Sequence, residues 1–330
     1  MIRATHILKR SGLAVLISCL IATAAWAQVV GPAGNIPLPS EELAQRLSHG
    51  DFEIVSVKGA GGGIMGAKKL RLRFDDGVEI NVKWKRAPAE AEGWNNSPRR
   101  EIAACEVQKL FLEPDDYVVP VSVPRCIPLD TYAAVERRTQ GNVPGADCVL
   151  GLLSVWLQNV VQPKQLFDPG RFQRDVSYAR SLGHLNILTY LINHQDGRAN
   201  NFLISTVEHR PQLFSIDNGL AFSTVFHNYF IPHWNRIRVP SLPGKGVERL
   251  RAVEREDLDR LAVLAEMKGD EHGVLQNVKP SENWSRLTGA RLAPGRVQFG
   301  LTVSEIDAVE ERLAKLLRDV DEGKIAVLRH

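Results

Sequence analysis

The sequence predicts an α+β fold in which strands come first and helices dominate the second half of the chain. Apolar and polar residues alternate at residues 70–84 with the period of two that is typical of strands. Two polar turns, near residues 196 and 217, each adjoin a short apolar run of the strand type. Longer apolar stretches predict helices at residues 149–161, 175–191, 254–268 and 303–320.

The first 27 residues form a predicted targeting segment. A basic start at residues 3–10 precedes an apolar stretch at residues 13–25, and Ala-Trp-Ala at residues 25–27 is a small-residue cleavage site. The apolar stretch is shorter than the about 20 residues that cross a bilayer. We therefore expect a secretory signal peptide, 1–27, whose cleavage leaves an exported, periplasmic or secreted protein with no transmembrane segment.

Charge gives no support for a nucleic-acid partner. The sequence has 41 Lys and Arg against 38 Asp and Glu, and three of the basic residues but none of the acidic ones lie in the predicted signal peptide. The mature chain is therefore neutral overall, whereas a nucleic-acid-binding protein shows a clustered basic surface. About 300 residues remain, enough for one large domain or two lobes. We expect a monomer.

Three cysteines remain after signal removal, so at least one is unpaired or intermolecular. Cys126 and Cys148 lie in loop-like, Pro-rich surroundings and are the candidate disulfide pair. Cys105 lies in a helical pattern and is expected to be a buried apolar residue. The sequence contains no C-x-x-C metal-binding spacing.

A linker and a short helix precede the strands. Ser40 can cap the helix at its N-terminus, and Gly50 can end it. Further along, Asp76-Gly77 is a hairpin turn signal between the second and third predicted strands.

A glycine-rich turn separates the first two strands. Gly61, Gly63 and Gly66 match G-x-G-x-x-G, but Ala67 stands where a Walker loop requires Lys. A dinucleotide-binding loop would open a helix, whereas the residues that follow alternate as a strand. A glycine-rich turn between two strands can cover the phosphates of ATP. The alternative interpretation is a flexible hairpin tip.

The third strand carries two lysines, Lys83 and Lys85, on its polar face. A phosphate-binding lysine at such a position is held by a Glu from the following helix. We choose Lys83 over Lys85, and we choose Glu101 as its partner, in the first turn of a helix predicted at 100–111. A Glu near a helix start also interacts favourably with the helix dipole, which is the alternative explanation.

Two further strands are predicted in the Pro-rich stretch that follows, at residues 117–123 and 131–136. We expect the second of these to be the hinge strand between two lobes.

The two polar turns have the residue types that phosphoryl transfer requires. Asp196 can orient or accept the proton of an acceptor hydroxyl, and Asn201 and Asp217 can supply oxygen ligands to Mg²⁺. The first turn has the same spacing as a known phosphotransferase signature, with His-Gln-Asp at residues 194–196, four further residues and then Asn201. Asp-Asn-Gly follows at residues 217–219, in the order of that signature. The alternative is that both clusters are ordinary turns, since Asp, Asn and Gly favour turns.

On these residues the chain resembles the protein-kinase-like superfamily, and in particular its atypical branch. Residues 216–222, Ile-Asp-Asn-Gly-Leu-Ala-Phe, together with His233-Trp234 and Val239-Pro240, are similar to type II phosphatidylinositol 4-kinases within the phosphatidylinositol 3-/4-kinase group. Residues 100–104 resemble the Glu-bearing helix of secretory-pathway kinases of the Golgi casein kinase type. The chain departs from these families at Gly197, because they commonly place Arg directly after the catalytic Asp.

The resemblance implies a bilobal protein-kinase-like fold with a small β-rich N-lobe at 28–137 and a larger, mainly helical C-lobe at 138–330. It implies an ATP-dependent phosphotransferase that uses Mg²⁺ or Mn²⁺, with a lipid head group, protein or sugar hydroxyl as acceptor. The implied residues are a Lys83–Glu101 ion pair, catalytic Asp196, metal ligands Asn201 and Asp217, and an ATP-binding loop at Gly61, Gly63 and Gly66.

Two alternatives remain open at this point. The first is an exported pseudokinase that binds a nucleotide or a partner without catalysis. The second is an exported sensor or scaffold that has no nucleotide site.

Overall fold

The computed structural model describes residues 34–61, 66–197, 199–208, 210–222 and 234–328. The predicted signal peptide, Gly63, Arg198 and His233 lie outside these ranges. Within them, no helix is long and apolar enough to cross a membrane.

A five-stranded antiparallel sheet dominates the first half of the chain. Its strands are β1 (Phe52–Gly59), β2 (Lys68–Phe74), β3 (Glu79–Arg86), β4 (Ser122–Pro128) and β5 (Cys148–Val155), in the spatial order β1-β2-β3-β5-β4. Alternation places the apolar side chains of β2 and β3 on one face, where they pack against Leu43 and Leu47 of helix α1 (Ser40–His49). The polar side chains of β3 therefore point to the opposite face.

Seven more helices follow α1. They are α2 (Pro98–Val107), α3 (Leu129–Tyr132), α4 (Pro169–Arg174), α5 (Val176–Leu191), α6 (Gly244–Arg251), α7 (Arg255–Asp259) and α8 (Val303–Asp321) among the described residues. Helix α5 lies in the centre of the helical region, with Leu182, Leu185 and Leu188 fully buried. Its N-terminus is capped by the Asp175 carboxylate, which accepts a hydrogen bond from the Tyr178 N–H at 2.9 Å.

The remaining strands in the described ranges form three small sheets. The first joins β6 (Val160–Val161), β7 (Phe202–Ser205) and β8 (Leu213–Ser215), and in the second β9 (Ser241–Pro243) pairs in parallel with β14 (Ala326–Leu328). The third has the order β11-β10-β13-β12 and comprises β10 (Ala265–Gly269), β11 (Leu275–Val278), β12 (Ala290–Ala293) and β13 (Arg296–Phe299).

The predicted α+β class, the first three strands, the central helix and the last helix are confirmed. The helix predicted at 149–161 is wrong, because this segment contains β5, a strand buried on both faces. A continuous apolar run has the same appearance in a buried strand and in a buried helix. The predicted strand at 131–136 is also wrong, since α3 and turns occupy that stretch.

Two other predicted elements differ in extent. The helix predicted at 254–268 is the short α7, a 3-10 turn at Arg260–Ala262 and then strand β10. The strand predicted at 117–123 begins only at Ser122, as β4. The five-stranded sheet also continues past the predicted lobe boundary at 137/138, because β5 is its fourth strand in space.

The predicted cysteine pairing is confirmed. Cys126 on β4 and Cys148 on β5 form a disulfide, and their Cα atoms lie 5.5 Å apart. Cys105 is a buried free thiol on α2. Burial raises the pKa of that thiol to about 11, which leaves it protonated and unreactive near neutral pH.

Candidate active site

Two lysines of β3 face the space between the sheet and the helical region. Ile80, Val82 and Trp84 point to the core on the other face of the sheet, so Lys83 and Lys85 point into this cleft. Their burial differs, because the Lys85 side chain is 6% exposed and that of Lys83 is 26% exposed.

Asp217 forms ion pairs with both lysines. It follows β8 in the left-handed conformation, with φ 61° and ψ 54°, which Asp tolerates better than most residues. Its Oδ1 is 3.2 Å from Lys85 Nζ and 3.5 Å from Lys83 Nζ. Burial alone would raise the pKa of Asp217, but the two ammonium groups outweigh it and lower the pKa to about 2. The carboxylate is therefore ionised at any physiological pH.

Glu101 on α2 completes this ionic cluster. Its Oε1 is 4.0 Å from Lys85 Nζ, and its Oε2 accepts a hydrogen bond from the Asn218 N–H at 2.9 Å. Burial raises the pKa of Glu101, and the charge of Lys85 opposes that effect. The Lys85 ammonium group also donates to the Asn95 carbonyl at 3.3 Å. Among the described residues, the lysine in ion-pair contact with Glu101 is thus Lys85 and not the predicted Lys83.

The β7–β8 hairpin brings the two polar turns together. Phe202 lies opposite Ser215, and the Ile216 N–H donates to the Asn201 carbonyl at 2.9 Å. The Asn201 side-chain amide in turn donates to the Asp196 carbonyl at 2.7 Å and to its carboxylate Oδ2 at 2.9 Å. The hairpin therefore holds Asn201 and Asp196 beside the segment that carries Asp217.

Backbone packing accounts for the glycine after Asp196. A Cβ atom at Gly197 would lie 3.0 Å from the Trp234 main-chain nitrogen, so a side chain there would require the Trp234 segment to shift by a few tenths of an ångström. His194, two residues before Asp196, is fully buried, and burial lowers the pKa of its imidazole to about 4. The imidazole is therefore neutral near pH 7 and contributes no positive charge to the loop.

The donor atoms at the two turns suit a hard cation. Asn201 donates only through its amide nitrogen, which leaves its Oδ1 available as an acceptor among the described residues. The lysine contacts of Asp217 are all to Oδ1, which leaves Oδ2 available. Mg²⁺ is commonly bound by one or two carboxylate or amide oxygens together with substrate phosphates. No cluster of three or more His, Cys, Asp or Glu side chains suitable for a metal occurs in the described part of the chain.

A cavity of about 610 Å³ adjoins the ionic cluster. Its walls come from the cleft face of the sheet, from the connecting segment 156–162 and from residues 215–218. Leu157 lines it, and among the described residues neither the main-chain N–H nor the C=O of Leu157 makes a hydrogen bond. Leu157 is therefore a residue beside the cavity with a main-chain donor and acceptor that no described residue satisfies, which sequence reasoning did not identify.

The glycine-rich turn closes the hairpin between β1 and β2. Gly61 and Gly66 have positive φ values of 73° and 67°, which glycine adopts without strain. The Ala60 N–H donates to the Ala67 carbonyl at 3.1 Å at the base of the turn. The third predicted glycine, Gly63, lies outside the described residues.

No family model matches the chain, and no curated protein matches it. Among solved structures, the chain is similar to hydra Fam20, determined with a sugar, with a TM-score of 0.52 and 14% identity over 88% of this chain and 92% of that one. It is also similar to the Golgi casein kinase, with a TM-score of 0.49 and 15% identity over 88% of this chain and 78% of that one. The likeness to hydra Fam20 confirms the predicted protein-kinase-like fold.

Proposed function

We propose that the chain is a phosphotransferase that moves the γ-phosphate of ATP to a hydroxyl group. One observation carries the proposal. Asp217 forms ion pairs with two cleft lysines and directly follows Ile216, whose N–H donates to the Asn201 carbonyl, beside a cavity large enough for a nucleotide. Phosphoryl transfer needs positive charge around the phosphates and oxygen ligands for a divalent cation, and these residues provide both.

In this proposal Lys85, rather than Lys83, contacts the α- and β-phosphates. Its depth in the cleft and its contact with Glu101 hold the ammonium group in one place. Glu101 is therefore a positioning residue, tied to the metal-binding turn through the Asn218 N–H. The main-chain groups of Leu157 would bind the adenine edge, and Gly61 and Gly66 would cover the phosphates.

Asp196 would orient the acceptor hydroxyl and accept its proton. Asn201 holds the Asp196 carboxylate by a 2.9 Å hydrogen bond, so its direction is set before substrate arrives. Asn201 and Asp217 would hold Mg²⁺ or Mn²⁺. When bound, this cation would neutralise negative charge on the phosphates. Because hydra Fam20 was determined with a sugar, a sugar hydroxyl is the first acceptor to test, before protein and lipid head-group hydroxyls.

A second function is favoured by one observation at the same site. Gly197 stands where related kinases commonly have Arg after the catalytic Asp, and a Cβ atom there would lie only 3.0 Å from the Trp234 main-chain nitrogen. A pseudokinase, which binds nucleotide without transfer, would tolerate that loss.

Two variants separate these functions. Asp217→Ala should abolish metal-dependent nucleotide binding and, with it, turnover, because the aspartate acts on the ground state. Asp196→Asn should leave nucleotide affinity nearly unchanged and lower phosphotransfer by roughly 10²-fold or more, the usual scale for a general base. Calorimetry measures affinity, and labelled ATP measures turnover.

The parent protein decides the outcome of this comparison. A parent that binds Mg·ATP but transfers no phosphate above the Asp196→Asn level is a pseudokinase. If the parent binds no nucleotide with either Mg²⁺ or Mn²⁺, both the phosphotransferase and the nucleotide-binding pseudokinase are excluded. The likeness to kinases is then one of fold alone.

We further propose that the protein acts outside the cytoplasm. The signal-peptide pattern at 1–27 and the Cys126–Cys148 disulfide support this proposal, since disulfides persist in oxidising compartments.

A further inference from the structure

Three lysines form a row across the cleft face of the sheet. Lys58 on β1 lies directly opposite Lys69 on β2, and Lys69 lies directly opposite Lys83 on β3. The row continues as Ser154 on β5 and Ser122 on β4, whose hydroxyls hydrogen bond at 2.8 Å. Opposite residues of antiparallel strands point to the same face, so all five side chains project toward the cleft.

Positive charge in this row is only partly compensated. Lys83 is paired with Asp217, but no carboxylate of a described residue forms an ion pair with Lys58 or Lys69. The residues outside the described ranges contain no Asp or Glu at all. Lys69 instead stacks on the Trp156 ring at 4.3 Å and lines the cavity.

This arrangement is unfavourable without a ligand. Like charges directly opposite each other on neighbouring strands destabilise a sheet. The pKa of Lys69 is lowered by burial and further by the neighbouring charges of Lys58 and Arg71. An anionic group in the cavity would remove this cost. The adjacent Ser154 hydroxyl, which accepts from Ser122, would add a hydrogen-bond donor.

We propose that the row Lys58, Lys69 and Lys83 binds a phosphate or other anionic group, in addition to the phosphate bound by Lys85. This proposal rests on the proposed function in one respect: the anionic group is part of a ligand that binds in the same cleft. Neighbouring strands lie about 4.8 Å apart, so the row spans roughly 10 Å from β3 to β1. The ligand thus carries negative charge at two points, either along a polyphosphate chain or on the nucleotide and the acceptor separately.

Inorganic pyrophosphate without metal is the probe for the shared chemistry. Lys69→Met should lower pyrophosphate affinity about tenfold or more, because a hydrogen bond between charged groups is lost. Lys58→Met, at the exposed end of the row, should lower it less. Lys68→Met is the matched control, since Lys68 lies opposite Trp84 on the other face of the sheet and does not line the cavity. Calorimetry gives the affinities, and melting temperatures without ligand should not fall in any variant.

Two more ligands identify the source of the anionic group. If Lys69→Met weakens ATP but not adenosine, the group belongs to the nucleotide's phosphate chain. If it weakens pyrophosphate but not ATP, the group belongs to the acceptor. Pyrophosphate affinity that is the same in the parent, Lys69→Met and Lys58→Met overturns the inference. If the parent protein shows no ATP turnover but still binds pyrophosphate in a Lys69-dependent way, the proposed function is wrong and the anion site is supported.

Discussion

Lys83 and Lys85 lie two residues apart on the same face of β3, yet they have different surroundings. Lys85 is buried and forms ion pairs with both Glu101 and Asp217. Among the described residues, the ion-pair partner of Lys83 is Asp217, and Lys83 is more exposed to water. A charge pair held away from water is stronger than an exposed one. The deeper lysine is therefore the better candidate for a fixed phosphate contact.

We predict that Lys85→Met lowers ATP affinity by roughly ten- to hundredfold, the scale of a charge-assisted hydrogen bond. Lys83→Met should have a smaller effect, because Lys85 continues to neutralise Asp217 in that variant. Calorimetric titration with Mg·ATP compares the two directly. Equal losses at both positions would contradict the assignment of Lys85.

Asp217 has a pKa of about 2 because two ammonium groups outweigh the effect of its burial. Its folded pKa is below the ordinary value of about 4. The ionised form therefore stabilises the fold above pH 4, and this contribution is lost as pH falls from about 4 to about 2.

We predict that the melting-temperature difference between the parent and Asp217→Asn is constant from pH 7 to pH 5 and shrinks below pH 4. Differential scanning calorimetry of both proteins across this range measures it. A difference that grows on acidification would show that the carboxylate is not held ionised by the lysines.

At the scale of elements, helix α2 is fixed by a buried ion pair to α8. Arg99 at the start of α2 donates to both carboxylate oxygens of Glu305, at 2.7 and 3.1 Å, and both side chains are nearly buried. Glu305 is also the capping-box residue of α8. One residue thereby sets the start of both helices, and α2 carries Glu101 into the cleft.

We predict that Glu305→Gln destabilises the protein by up to about 3 kcal/mol, because the buried Arg99 charge loses one of its two carboxylate partners in the described ranges and keeps only Glu92, at 2.7 Å. Asp321→Asn is the control, since its pair with Arg251 is exposed and should contribute under about 1 kcal/mol. Urea denaturation of both variants measures the free energies of unfolding. A loss at Glu305 no larger than that at Asp321 would mean that the Arg99–Glu305 pair does not fix the position of α2.

At the scale of the whole molecule, the protein combines a kinase-like fold with a disulfide inside its main sheet. The bond joins β4 to β5 beside the cleft strands, so the sheet that carries the lysines is cross-linked once the cysteines are oxidised. This feature agrees with the proposed export.

We predict that the exported protein begins at Gln28, because cleavage follows the small residues at 25–27. N-terminal sequencing of protein recovered from outside the cytoplasm tests this. Retention of Met1 on that material would identify the segment as an anchor rather than a cleaved signal.

Local patterns in the sequence were sufficient for several parts of the fold and the candidate site. Period-two alternation predicted β2 and β3, an apolar stretch after Asp175 predicted α5, and the spacing of Asp196, Asn201 and Asp217 predicted two turns that the β7–β8 hairpin brings together. These features depend on neighbours within a few residues, which a sequence displays directly.

Other features depended on contacts between distant segments, and only the tertiary structure decided them. Strand β5 is buried on both faces, so its apolar run carried no periodicity that distinguished it from a helix. The choice of Lys85 depended on where α2 packs, because alternation places both lysines on one face. The row of Lys58, Lys69 and Lys83 exists only through the pairing register of three strands, and register is a long-range property that no local pattern displays.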